Sequence, residues 1–198
     1  VAVSAPLTYG CPGATRPGQE VWDGTPQRFR RHEAVTVLGR GERVWRTAAE
    51  AVLRWEVKTR SGFTLAPQDP ATVPRPAAPP QRGAARGAQT AAREPRVELG
   101  EDRIVLARMG PVTVREPVRI VAVVDTASRA GFAYGTRAGH PVCGEEAWVV
   151  SRDAEGTVRL TLRSLTAPAP GPQRLLFPGA LLLQPFYRRR YLRALSGC

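Results

Sequence analysis

Hydrophobic and polar positions change period several times along the chain, and each change predicts an element. Residues 28–38 end in the β-branched run Val35-Thr36-Val37, with the valines on one face and the threonine on the other. That alternation predicts a first strand, which Gly39 and Gly41 break. From Glu42 the period lengthens. Val44, Trp45, Ala48, Ala49, Val52 and Leu53 recur three and four residues apart, which predicts an amphipathic helix over about 42–57. Its polar side is Arg43, Arg46, Glu50 and Arg54, and Trp45 and Trp55 are expected to anchor it in a core or groove.

After residue 96 the period shortens to two. The stretches 97–99, 103–109, 112–116, 118–126, 131–136, 145–151 and 157–166 all read as strands, joined by turns rich in glycine, proline and acidic residues. Short connections between successive strands predict an antiparallel meander. In the last strand Val158, Leu160 and Leu162 alternate with Thr157, Arg159, Thr161 and Arg163, so one face is expected to be buried and the other wet. A Pro/Ala/Gly run over 167–172 ends the sheet. A long helix follows at about 173–195, with Leu175, Leu176, Ala180, Leu183, Tyr187, Tyr191 and Ala194 near one stripe. Pro178 is expected near its start and Pro185 at a kink.

The fold class this order predicts is α+β: an N-terminal strand and helix, then a curved antiparallel β-sheet wrapped around a long C-terminal helix. A gap between those two layers would be an apolar pocket. Residues 1–27 read as irregular. Residues 66–96, dominated by Pro, Ala, Gly, Gln and Arg, read as a flexible loop or insert within a single domain spanning 1–198, because 1–65 offers too few elements to close a core alone.

Composition narrows the function classes. Three well-separated cysteines, Cys11, Cys143 and Cys198, argue against a disulfide framework and fit a reducing compartment, the cytoplasm. No apolar run is long enough to span a bilayer, and the first residues lack the layout of a secretion signal. The net charge of +12 invites an anionic partner. The basic residues, however, are arginines scattered along the whole chain, with Lys58 the only lysine, so nucleic acid is not the expected partner. Arg188, Arg189, Arg190 and Arg193 form the one dense cluster. It reads as a solvated helix face or as an anion-binding surface.

Candidate chemistry concentrates in residues 132–148, Phe-Ala-Tyr-Gly-Thr-Arg-Ala-Gly-His-Pro-Val-Cys-Gly-Glu-Glu-Ala-Trp. Tyr134, Thr136, His140 and Trp148 are the expected ligand contacts. His140, Glu145 and Glu146 are the candidate catalytic groups, with the imidazole as general acid or base and a glutamate orienting it. Adjacent strand residues point to opposite faces, so both carboxylates cannot easily serve one metal ion. No metal site and no cofactor are expected, and nothing resembles a nucleophile elbow, a phosphate loop or a zinc helix. Three readings stay open beside a purely structural hairpin: a module binding a small apolar or amphipathic molecule, a hydrolase-, cyclase- or isomerase-like enzyme, and an anion-binding surface protein.

Several of these motifs together resemble a known family. They are Thr8-Tyr9, Gly13-Ala14-Thr15, Ala48 to Trp55, Phe132 to Thr136, Gly139-His140-Pro141, Gly144 to Ala147 and Arg190 to Leu195. In that order they resemble domain-of-unknown-function family number nineteen-ninety, although the family commonly has Leu-Pro where Arg137-Ala138 stand here. The resemblance implies membership of the START-like (birch-pollen-allergen-like) helix-grip superfamily, whose members commonly hold apolar ligands between sheet and C-terminal helix. It carries over no activity.

Overall fold

The computed structural model describes residues 6–24, 26–66, 94–109 and 112–197. Positions 67–93 of the expected insert and 110–111 of an expected turn lie outside the described residues. The elements run β1 (Arg30–Arg40), α1 (Glu42–Val52), α2 (Glu56–Arg60), β2 (Phe63–Leu65), β3 (Asp102–Met109), β4 (Val112–Asp125), β5 (Arg129–Thr136), β6 (Val142–Arg152), β7 (Thr157–Pro168), a 3-10 helix (Gly171–Leu176) and α3 (Phe177–Arg193). The fold is α+β. Among the described residues the seven strands form one open antiparallel sheet in the order β1-β7-β6-β5-β4-β3-β2. β3 to β7 are the expected meander. β1 departs from sequence order and pairs with the last strand. Among the described residues no helix is long and apolar enough to cross a membrane.

One face of the sheet carries the core. Ile120, Phe132, Trp148, Leu160 and Leu162 lie on it, and the helices add Trp45, Val52, Trp55 and Leu53. Each such side chain, fully withdrawn from water, contributes about 1.5–3 kcal/mol. α3 joins this core through Tyr191, Tyr187 and Leu192.

Several elements differ from the sequence reading. The single helix expected over 42–57 is two, because Trp55 adopts a left-handed backbone (φ 63) between α1 and α2. That conformation costs a non-glycine residue about 1–3 kcal/mol. It is held by complete burial of the indole, which packs 4.8 Å from Phe132 and stacks 5.9 Å from Tyr134. Residues 97–99 are not a strand; Val97 N–H instead donates to Leu53 O at 2.9 Å. The strands expected on either side of Pro117 are one continuous β4. Pro117 lacks an N–H, but its carbonyl still accepts from Arg137 N–H at 3.0 Å. β2 has too few residues to show a period and was not expected.

The far face of the sheet is covered over its middle strands, although Val35 and Val37 on β1 stay exposed there. The irregular N-terminal segment, 6–24, lies across it and is tied down by buried polar side chains. Arg163, only 1% exposed, pairs with Glu33 at 2.9 Å and donates to the carbonyls of Arg16, Gln19 and Glu20 at 2.8, 2.9 and 2.6 Å. Arg129 donates to Pro17 O and Gln19 O. Glu145 accepts from Tyr9 O–H (2.8 Å), Gly13 N–H (2.7 Å), Thr15 N–H (2.8 Å) and the Thr15 hydroxyl. Gly135, beside Glu145 in the ladder, makes room for Tyr9: a Cβ there would lie 2.2 Å from the phenol oxygen.

Candidate functional site

A row of polar side chains crosses the core face of the sheet. His32 on β1 stands opposite Ser164 on β7, Ser164 opposite Glu146 on β6, and Glu146 opposite Tyr134 on β5. Two helices close over the row. α2 supplies Lys58, and α3 supplies Arg188 and Tyr191. Tyr134 O–H donates to Glu146 Oε2 at 2.8 Å, and Lys58 Nζ lies 3.3 Å from the same oxygen. Lys58 also donates to Tyr191 Oη at 2.7 Å. Its ammonium sits 4.3 Å from the ring centroid of Phe63, 4.8 Å from Tyr191, and 5.2 Å from both Tyr134 and Trp148. A compact cation with a carboxylate partner and four surrounding rings is well satisfied in a buried site. Arg188 donates to Ser164 Oγ at 3.2 Å.

Beside this cluster, between the sheet and α3, lies a cavity of about 280 Å³. Val114, Ala107, Ala180 and Leu183 form apolar wall, Glu116, His140 and Gln184 contribute polar side chains, and Thr136 lines it with its hydroxyl already held by Gly144 N–H and Thr8. His140 Nδ1 is occupied by the backbone of Val142, 3.1 Å from its N–H and 2.9 Å from its carbonyl. His140 Nε2 is buried and has no hydrogen-bond partner. Burial, helped by the charge of Lys58, lowers the His140 pKa to about 3, so its ring is neutral at pH 7. Burial, reinforced by Glu146 and opposed by Lys58, holds the Glu116 carboxyl above its ordinary pKa. Burial, reinforced by the Glu146 charge, pushes the Tyr134 and Tyr191 phenols well up.

The structure sorts the residues singled out in sequence. Tyr134, Thr136 and His140 line the cavity. Trp148 is fully buried beneath it, its ring 5.3 Å from Tyr134 and 5.6 Å from Tyr191. Glu146 faces the cavity cluster, whereas the Glu145 carboxylate is spent on the N-terminal segment across the sheet. No described carboxylate hydrogen-bonds to His140: its Nδ1 meets only the Val142 backbone, and its Nε2 has no partner. Cys143, three residues on, packs with Tyr9 and Ala167 away from the cavity. His32, at the β1 end of the row, has its Nε2 buried without a partner, and burial together with Arg188 lowers its pKa. The C-terminal arginines divide, Arg188 turning inward and Arg189, Arg190 and Arg193 outward.

Lys58, Glu116, Ser164 and Tyr191 were not anticipated as site residues. Only Lys58 carried a signal. Among 29 lysines and arginines it alone is lysine, and the cage explains the choice. A flat guanidinium with five donors asks for planar, bidentate partners, whereas an ammonium fits the space between rings.

Comparisons with known proteins place the chain. A UPF0548 protein of Deinococcus radiodurans is 37% identical over 83 residues, a stretch covering 40% of this chain and only 42% of that relative. Among solved structures, hypothetical protein jhp0584 from Helicobacter pylori aligns over 98% of both chains at 13% identity, with a TM-score of 0.47. An uncharacterised Rhizobium leguminosarum protein aligns over 84% of this chain and 97% of its own, at 12% identity and a TM-score of 0.35. The family model described as a domain of unknown function, DUF1990, matches residues 8–77 and 81–194, nearly the whole length, and the chain belongs to that family.

Proposed function

We propose that this protein binds a small amphipathic molecule in the cavity between the sheet and α3, as a helix-grip protein would, with the polar end of the ligand uncharged and no cofactor required. The observation that carries this reading is the unpaired, buried Nε2 of His140 on the wall of an otherwise largely apolar cavity. A buried polar atom left without a partner costs about 1–3 kcal/mol, which a ligand hydroxyl or carbonyl would recover. Glu116 lines the same cavity, its pKa raised by burial, so its carboxyl offers a second hydrogen-bonding group. The cluster's one fully buried cation, Lys58, is already matched by Glu146, which favours a neutral ligand over a carboxylate or an amine. Tyr134 and Thr136 contribute wall, and Trp148 supports Tyr134 from beneath.

The test is native mass spectrometry of protein purified from its own host, with titration of the neutral amphiphile N-phenyl-1-naphthylamine alongside. A retained molecule, or probe fluorescence that Ala180→Trp abolishes by filling the cavity, is expected. An empty chain that also leaves the probe dark would refute the reading. A second reading, proton-transfer catalysis, is favoured by the Glu116 carboxyl and the His140 ring, which line one cavity with pKa values displaced in opposite directions. Chemical change of the retained molecule by the wild type, lost in Glu116→Gln, would establish it.

A further inference from the structure

We propose that α3 docks the protein onto an anionic lipid bilayer, with Leu182 and Phe186 entering the acyl boundary and Arg189, Arg190 and Arg193 meeting the headgroups. Leu182 is 82% exposed and Phe186 56%. One turn apart, they form an apolar ridge that continues into Arg190 and Arg193 on the same outward side of the helix. The Arg190 guanidinium lies 5.5 Å over the Phe186 ring, so the apolar and basic halves of the ridge are contiguous. Leu175, in the 3-10 helix just before, is 78% exposed as well.

The charge on this segment has one sign. From Gly171 to Cys198 every charged side chain is an arginine, namely Arg174, Arg188, Arg189, Arg190 and Arg193, and the whole chain carries +12. Exposed leucine and phenylalanine beside arginine suit the boundary between acyl chains and anionic headgroups. A phosphate backbone would use the arginines and leave Leu175 and Leu182 without purpose. The inward side of the same helix supplies Ala180, Leu183, Gln184 and Tyr187 to the cavity. A membrane-bound α3 would therefore set the cavity against the lipid surface.

The experiment is co-flotation of the 198-residue chain with vesicles of phosphatidylcholine alone and of phosphatidylcholine mixed with phosphatidylglycerol, at low and high salt. Flotation is expected only with the mixed vesicles. It should weaken at least about tenfold in Leu182→Ser/Phe186→Ser and by a similar factor in Arg189→Glu/Arg193→Glu. Leu182 and Phe186 lie outside the core and the cavity lining, so an unchanged melting curve serves as the check on folding. Three results would overturn the proposal: no flotation with either vesicle, flotation indifferent to the Leu182/Phe186 pair, or tighter binding to duplex DNA or RNA than to vesicles. Failure of the cavity to hold any small molecule leaves this result standing, because flotation reads the outer ridge alone.

Discussion

Replacing Glu145 by alanine should release the N-terminal segment from the sheet. The wild-type carboxylate accepts four hydrogen bonds, from Tyr9 O–H, Gly13 N–H, Thr15 N–H and the Thr15 hydroxyl, and the side chain is buried. A hydrogen bond to a charged group is worth about 1.5–3 kcal/mol net. Four bonds to one group are not additive, and donors freed in the variant regain water as the segment lifts. A loss of about 4 kcal/mol is therefore expected, near the upper end for a single substitution. At about 2–4 °C per kcal/mol for a domain of this size, the melting temperature should fall by roughly 10 °C. Calorimetry reads that fall. Limited proteolysis provides the local readout, because cleavage within 6–24 should accelerate more than cleavage within β5 to β7. Glu145→Gln keeps the volume but turns an amide N–H₂ toward donors, and should lose at least half as much. A loss below about 1 kcal/mol, or an N-terminal segment as resistant to protease as in the wild type, would refute the clamp.

Three further outcomes follow from the same geometry. His140 has a folded-state pKa of about 3 against an ordinary 6.5. The unfolded chain therefore takes up a proton that the native state refuses, and stability should drop by about 1.4 kcal/mol per pH unit as pH falls from about 6.5 toward 3. Urea melts across that range should show a shallower slope in His140→Asn, and identical slopes would exclude the effect. Lys58→Met should cost about 3 kcal/mol in urea unfolding, since it leaves the Glu146 charge against aromatic rings; a neutral outcome would mean the pair is solvated. Gly144→Ala should lower the melting temperature by about 10 °C or yield insoluble protein. A Cβ there would meet Leu165 O at 1.8 Å, in a backbone with φ +145 that suits glycine; near-normal melting would show that the strand can shift.

The meander was legible because its information is local. β3 to β7 alternate with period two, and most of their turns contain glycine, proline or aspartate. Where local preference and tertiary packing disagree, the sequence misled. Nothing around Trp55 marks a helix break, since the left-handed backbone is stabilised by Phe132 and Tyr134, more than seventy positions away. Pro117 reads as a turn, and only the neighbouring strands show that β4 runs through it. The N-terminal segment has no period because its burial runs through backbone carbonyls and amides reaching for Arg163, Arg129 and Glu145 rather than through an apolar stripe. In the site, strand parity puts Tyr134 and Thr136 on one face, and His140 follows in the turn beyond them. Lys58 and Glu116 come from separate elements whose approach no spacing encodes. The helix expected over 173–195 has Leu175 on its apolar stripe, yet Leu175 lies in the 3-10 helix before α3 and points to solvent.

Glu145 and Glu146 have one more consequence, for how β6 finds its alignment. Two adjacent identical side chains hold no alignment information, because a slip of one position would still present a carboxylate to each face. The decision rests with their neighbours. Trp148 fits only on the side of Phe132 and Tyr191, and Gly144 is the position that passes close to Leu165 O. β6 thus has a permissive polar end and a selective apolar one. The N-terminal segment can engage the correct glutamate only after the tryptophan has seated. Hydrogen exchange pulsed during refolding should accordingly protect the amides around Trp148 before those of Gly13 and Thr15, and the reverse order would show that the segment itself aligns the strand.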